Sequence, residues 1–311
     1  MAETAIRAER LTVMLFRAAY NLPVTAGLAG GFFAKHGLEL DIRYTRGSKM
    51  LSDALLEGRC DLGVLSADDV VYEVEARRAD LFMFMGLHGG ILRLIARPGV
   101  RTARDLAGGR LGVDDPASGF ALVAHTILQA LGLPRARYET LSVGGHEQRA
   151  QALLDGRIDA ALLTPPFTFE LLALGFASLA GERDHVPTYQ ASCGVATRRW
   201  AGGHAGLLVA YIRAYRESLR WALDPGARQA AISQLAVEFG LRRELAAATY
   251  EALADPAGGL FPDAALNIAG IRTVLDLRVA AGLLPAPPPD PSRYYDLSYF
   301  RKALELDHER D

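Results

Sequence analysis

Along the first two hundred residues the spacing of hydrophobic positions changes repeatedly. LTVMLF (Leu11–Phe16), DLGVLS and LFMFMG (Leu81–Gly86) are short apolar runs, and LELDIRYT (Leu38–Thr45) alternates; all four predict strands. Between them, apolar residues recur three and four apart. This predicts helices from about Pro23 to Lys35, from Ser48 to Leu56, and onward from Asp68 or Asp69. ILRLIAR, GRLGVDD, YETLSV, IDAALL and GFASLAG continue the strands. TARDL, Ser118–Leu131, His146–Leu154 and Pro165–Leu174 continue the helices. Ser48 and Thr102 stand where an N-cap belongs, and Gly58, Gly132 and Gly156 lie just past helix ends.

Strands alternating with helices of this length imply βαβ units and parallel sheets. From about Gly203 the pattern becomes helical: Gly203–Leu223, Gly226–Phe239, Arg242–Leu253 and Pro262–Gly282. A proline-rich stretch, Leu284–Pro291, then forms a stiff extended connector before a tail with a short helix.

The strand-loop-helix pattern is written twice. ALLEGRCD (Ala54–Asp61) returns as ALLDGRID (Ala152–Asp159), each a helix stop followed by a strand start. Around these echoes three units match in order: LTVMLF with GRLGVDD, DIRYT with YETLS, and DLGVL with DAALL. Two α/β lobes of one design follow, with SADD and TPPF as equivalent loops. Ligands of open parallel sheets bind beyond the carboxyl ends of the strands. Facing lobes would place six such loops around one cleft, where helix N-termini favour an anion.

Composition narrows the class. The chain has 311 residues, 50% of them hydrophobic, a balance suited to a globular protein with a core of good size. A net charge of −2 argues against a nucleic-acid partner. No run is long and apolar enough for stable membrane insertion. Cys60 and Cys193 read as small buried residues. MAETAIRAER lacks the apolar core of a signal peptide, while AET resembles the start of a mature chain after cleavage. The expectation is a periplasmic protein whose leader has been removed, with a cytoplasmic one as the alternative. The motifs of a Ser elbow, a zinc protease, a P-loop and a dinucleotide fold are missing. No catalytic residue, cofactor or metal is expected.

The run GLHGGILRLIARPGVRTARDLAGGRLGVDDPASG resembles the middle of type II periplasmic binding proteins. More narrowly it resembles the nitrate/sulfonate/taurine and thiamine-pyrimidine-like substrate-binding proteins of ABC importers. The resemblance rests on Asp105-Leu106, Gly108, Arg110, Leu111-Gly112-Val113 and Ala117-Ser118-Gly119. Gly156, Asp159, Ala160 and the Thr164-Pro165-Pro166-Phe167 loop add to it, as does GLAGGFFAKHGLELDIRYTRG near the start. It implies a two-lobed α/β fold with a helical C-terminal section. Residues 1–88 and 190–311 would form lobe 1 and 89–189 lobe 2, with crossings near His88–Gly90 and Tyr189–Gly194 as the hinge. It also implies a monomer that closes on a small organic anion, sulfonate- or carboxylate-like, and delivers it to an importer permease. The alternative is a cytoplasmic enzyme on the same fold, desulfinase-, lyase- or hydrolase-like, acting on a small aromatic or heterocyclic substrate. The desulfinases it resembles use a cysteine in the loop after the first strand, where this chain has RAAYNLP.

Candidate ligand contacts follow from the loops. They are Arg17, Tyr20 and Asn21 after the first strand, Arg46 and Ser48 after the second, and Ser66 and Asp68 after the third. In the other lobe they are Asp115, Ser118 and Gly119, then Gly145 and His146, then Thr164, Pro165 and Phe167 as an apolar wall. His88 joins them from the hinge. The arginines lean towards an anion. An acid of the SADD loop facing the cleft would instead argue for a ligand with a hydrogen-bond donor.

Overall fold

The computed structural model describes residues 8–309, so the AET start lies outside the described residues. Ten strands form among them: β1 (Glu9–Phe16), β2 (Leu38–Thr45), β3 (Leu62–Ser66), β4 (Leu81–His88), β5 (Arg93–Ala96), β6 (Arg110–Val113), β7 (Glu139–Ser142), β8 (Ala160–Leu163), β9 (Ala177–Gly181) and β10 (Ser192–Thr197). They build two sheets of five, ordered β2-β1-β3-β10-β4 and β7-β6-β8-β5-β9. The first three positions of each sheet are the three paired units of the sequence, in the same order.

The echo has a physical basis in both sheets. Gly58 and Gly156 take φ of 70° and 67°, the left-handed region that closes a helix. Arg59 N–H bonds to Ala54 C=O at 2.8 Å, and Arg157 N–H to Ala152 C=O at 2.9 Å. The aspartates then anchor the strand beside them. Thr12 N–H donates to Asp61 Oδ2 and Arg110 N–H to Asp159 Oδ2, each at 2.8 Å. Each Asp thus extends the ladder by one side-chain bond at the end of its sheet away from the loops.

The sheets are mixed, not parallel throughout. β10 lies antiparallel between β3 and β4, and β5 pairs antiparallel with β8 and β9. SCGVAT had no strand signature in the sequence. It opens on three small residues and does not alternate, and it is a strand because it is buried on both faces between β3 and β4.

Local chemistry also moves several helix ends. The first predicted helix breaks into Leu22–Ala29 and Phe32–Lys35, with Gly31 at φ 72° between them. Ser48 and His146 are the first helical residues rather than caps, since Gly47 and Gly145 hold the extended N-cap position. The long C-terminal helix starts only at Ile268, where the Asn267 side chain caps Gly270 N–H.

The chain leaves the first sheet after His88, enters the second at Arg93, and returns between Gly181 and Ser192. The C-terminal helices pack on the first sheet, Ala205–Leu223 against Leu22–Ala29 and Ser298–His308 against Ala205–Leu223. One apolar cluster runs from Met14 and Leu65 in the first lobe to Leu94 and Leu111 in the second, so the two lobes are packed together. No helix among the described residues is long and apolar enough to cross a membrane.

Candidate functional site

The strand-end loops of the two lobes meet face to face. Ser48 donates from both Oγ and N–H to Asp114 Oδ2, at 3.0 and 3.3 Å. Gly119 N–H donates to Asp69 Oδ1 at 3.0 Å, and Ala19 N–H to Pro165 C=O at 3.4 Å. A neutral bond contributes about 0.5–1.5 kcal/mol net and one to a charged acceptor about 1.5–3, so together these contacts hold the two sets of loops against each other. Gly119 makes the approach possible. A Cβ there would lie 2.4 Å from Asp68 Cβ and 2.6 Å from Ser66 Oγ.

Between these contacts lies a narrow, nearly closed pocket with a cavity of about 10 Å3. Its first-lobe wall is Phe16, Tyr20, Ser66, Asp69 and Ser192; its second-lobe wall is Asp114, Ser118, Phe120, His146 and Arg149. The helix His146–Leu154 carries Arg149 one turn in from its start, beneath His146. Arg149 is 2% exposed. Its Nη2 donates to His146 Nδ1 at 3.0 Å, its Nη1 lies 4.0 Å from Asp114 Oδ1, and its buried Nε has no partner.

This geometry sets the charges. A guanidinium only donates, so His146 Nδ1 is an acceptor and the neutral ring carries its proton on Nε2. Burial, with Arg149 and His88 nearby, holds His146 well below its ordinary value. Burial alone pushes His88 down to about 3. The His88 ring stacks on Tyr20 with centroids 4.8 Å apart, and neither of its nitrogens has a partner. Asp69 is pushed up to about 8, by burial first and by the neighbouring Asp114 second.

The predicted residues divide into groups. Tyr20, Ser66, Ser118 and His146 line the central pocket. Arg17, Arg46 and Gly145 border an outer pocket that shares Phe16 and His146 with it, and Arg17 pairs with Glu147 at 3.6 Å. Ser48 and Asp115 border a third opening that shares Asp69 and Ser118. Asp115 Oδ1 is turned to its own loop, accepting from Ala117 N–H at 2.8 Å. Gly119 seals the lobes rather than lining the central pocket.

Five predicted residues lie elsewhere, and His88 stands behind Tyr20. Asp68 is turned away and paired with Arg278, both buried. Its neighbour Asp69 faces the pocket, because successive residues of a helix point about 100° apart. Asn21 Nδ2 donates to Phe16 C=O at 2.7 Å and braces its loop. Phe167 packs edge-on against Phe239 at 6.2 Å, and Thr164 is fully buried below it. The apolar walls are Phe16 and Phe120 instead. Pro165 touches the first lobe through its carbonyl and borders a crevice beside the crossings between the two sheets.

Asp114, Arg149, Phe16, Phe120 and Ser192 are not among the residues the sequence singles out, and Asp69 is there only as one of the two acids of the SADD loop. Asp114 could have been found, since β6 ends at Val113 and Asp114 is the first residue past it. Arg149 could not: it lies inside a helix, where a lone arginine reads as solvated surface. Ser192 needed the unforeseen strand β10.

The model of the family described as NMT1/THI5 like matches residues 19–227. No curated protein matches the chain. Solved structures with a similar fold include a protein of Bordetella bronchiseptica RB50, at 20% identity and TM-score 0.81, covering 96% of this chain and 97% of that one. The alkanesulfonate-binding protein SsuA from Xanthomonas axonopodis pv. citri, bound to MOPS, is 19% identical with TM-score 0.77 over 96% and 100% of the two chains. The periplasmic nitrate-binding protein NrtA from Synechocystis PCC 6803 is 11% identical with TM-score 0.80 over 96% and 89%. The two-lobed periplasmic-binding-protein fold is common to them and to this chain.

Proposed function

The chain belongs to the NMT1/THI5-like family, and from that premise we propose that it is a solute-binding protein. Its lobes close on a small organic acid, carboxylate- or sulfonate-like, for delivery to the permease of an ABC importer from the periplasm. The observation that carries this reading is Arg149: a buried guanidinium, with an unpartnered Nε, in a pocket walled by both lobes. A buried donor without a partner costs about 1–3 kcal/mol. An acid group would supply the missing acceptor and neutralise the charge. Arg17 and Arg46 at the outer opening add positive charge along the approach.

The reading needs no chemistry in the pocket. Closure requires only contacts that form when both lobes meet the ligand. The two cysteines offer no accessible thiolate. Cys193 is fully buried with its Sγ 3.4 Å from Leu65 C=O, and burial pushes it well up. Cys60 lies at the far end of the sheet from the pocket and is pushed up to about 12.

Thermal melts with small carboxylates and sulfonates test this function. A ligand at a hundred times its Kd adds about 2.7 kcal/mol and raises Tm. Arg149→Met abolishes the rise. A Tm unmoved by every acid, or a ligand that the protein consumes, overturns the reading.

A further inference from the structure

The pocket is enclosed by two carboxyl groups and one guanidinium. Asp69 and Asp114 flank the Ser118–Gly119 pair: Ser118 Oγ donates to Asp114 Oδ1 at 2.7 Å, and Gly119 N–H donates to Asp69 Oδ1 at 3.0 Å. Both acids are nearly inaccessible, Asp69 at 7% and the Asp114 side chain at 6% exposure. The other titratable groups on the walls are Tyr20 and His146, with His88 behind Tyr20, and these supply no positive charge. Among the described residues Arg149 is therefore the only cation on the walls, and it already lies beside Asp114.

A simple anion placed on Arg149 would compete with the Asp114 carboxylate for the one guanidinium in a desolvated space, and would leave Asp69 holding its proton. Like charges so placed repel strongly, because little water screens them. A ligand that also brings a positive nitrogen removes the conflict: its acid faces Arg149 and its nitrogen faces Asp69 and Asp114. The rings of Phe16, Tyr20 and Phe120 pack around His146, with centroids 5.8–6.4 Å from its own, so aromatic edges crowd the space beside Arg149. A planar carboxylate matches the guanidinium edge.

Resting on the solute-binding reading above, we infer that the ligand carries a cationic nitrogen held by Asp69 and Asp114 as well as its acid group, which makes the substrate class a small amino carboxylic acid. Asp69 is then the residue that separates amino acids from plain acids.

The test is calorimetric titration of the full chain with matched sets of two to six carbons: the ω-amino carboxylic acid, the carboxylic acid without nitrogen, and the amine without the acid. The amino acid of the best-fitting length binds at least about tenfold tighter than its nitrogen-free partner, the worth of one charge-assisted hydrogen bond. Asp69→Asn brings the ratio of the two affinities close to one, whereas a general loss of lobe closure would weaken both ligands alike and leave the ratio unchanged. Asp114→Asn gives the same readout if the first variant folds poorly. Equal binding of the plain acid to the native protein overturns this inference and leaves the solute-binding reading standing. Equal binding of the bare amine supports the nitrogen site and removes the acid from the proposed ligand. Failure of the whole panel overturns both.

Discussion

At the scale of single residues, Asp68 and Asp69 show how one helical step divides two roles. Asp69 looks into the pocket, while Asp68 is 1% exposed and paired with Arg278 of the C-terminal section. Burial still pushes Asp68 up to about 6 despite that partner, so the pair is costly to bury and costly to break. Arg278→Met leaves an uncompensated buried carboxylate and is expected to lower unfolding free energy by about 3–5 kcal/mol. Urea denaturation measures it. The double variant Asp68→Leu, Arg278→Met recovers most of the loss, since an apolar pair carries no desolvation cost. A single variant within about 0.5 kcal/mol of the native protein, the range of an ordinary surface change, would show that the pair is solvated.

At the scale of elements, closure depends on one helix start. The helix Gly119–Ala130 is capped by Ser118, whose Oγ accepts from Ala121 N–H at 3.2 Å. Its first residue is glycine because the facing lobe leaves no room for a Cβ. Gly119→Ala improves helix propensity by up to about 1 kcal/mol, so the lobe itself stays folded. The added carbon collides with the backbone-proximal Cβ of Asp68, which cannot swing aside. We expect ligand affinity to fall at least about tenfold, equivalent to 1.4 kcal/mol. Small-angle scattering should find the variant extended even with saturating ligand. A variant that compacts on binding like the native protein would show that the lobes close elsewhere.

At the scale of the whole molecule, the crossings between the two sheets contain a carboxyl without a partner. Gly90 has φ 127° at the first crossing, and Glu182 stands at the start of the second. The Glu182 side chain packs so closely on Gly90 that a Cβ would lie 2.0 Å from Oε2. Neither oxygen has a hydrogen-bond partner, and burial pushes the group up to about 8 from an ordinary 4.5. The folded protein therefore holds this proton more tightly than the unfolded chain does. That stabilisation is full below about 4.5 and is lost as pH rises through about 8. Tm should fall between pH 5 and pH 8, and Glu182→Gln should flatten part of the fall. At pH 8 the variant is expected to melt higher by on the order of 2–4 °C. Asp69 contributes in the same direction, so some slope remains. Identical pH profiles for the two proteins would mean that the carboxyl finds solvent.

The sequence by itself determined what depends on neighbours along the chain: the period of each apolar run, the helix stops at Gly58 and Gly156, and the doubled order of strands. These were legible because backbone conformation and side-chain periodicity are local properties. From them followed the two lobes and the loops that border the cleft. Tertiary structure decided what depends on facing surfaces. It made SCGVAT an interior strand, because burial on both faces replaced a missing alternation. It turned Asp68 to a distant arginine and Asp69 to the pocket, a difference in direction that adjacent letters do not carry. It brought Arg149 from a helix interior to the floor of the site, because only the approach of the first lobe removes it from water. The fold was therefore readable from short-range chemistry, whereas the charges of the pocket come from residues brought together only when the lobes close.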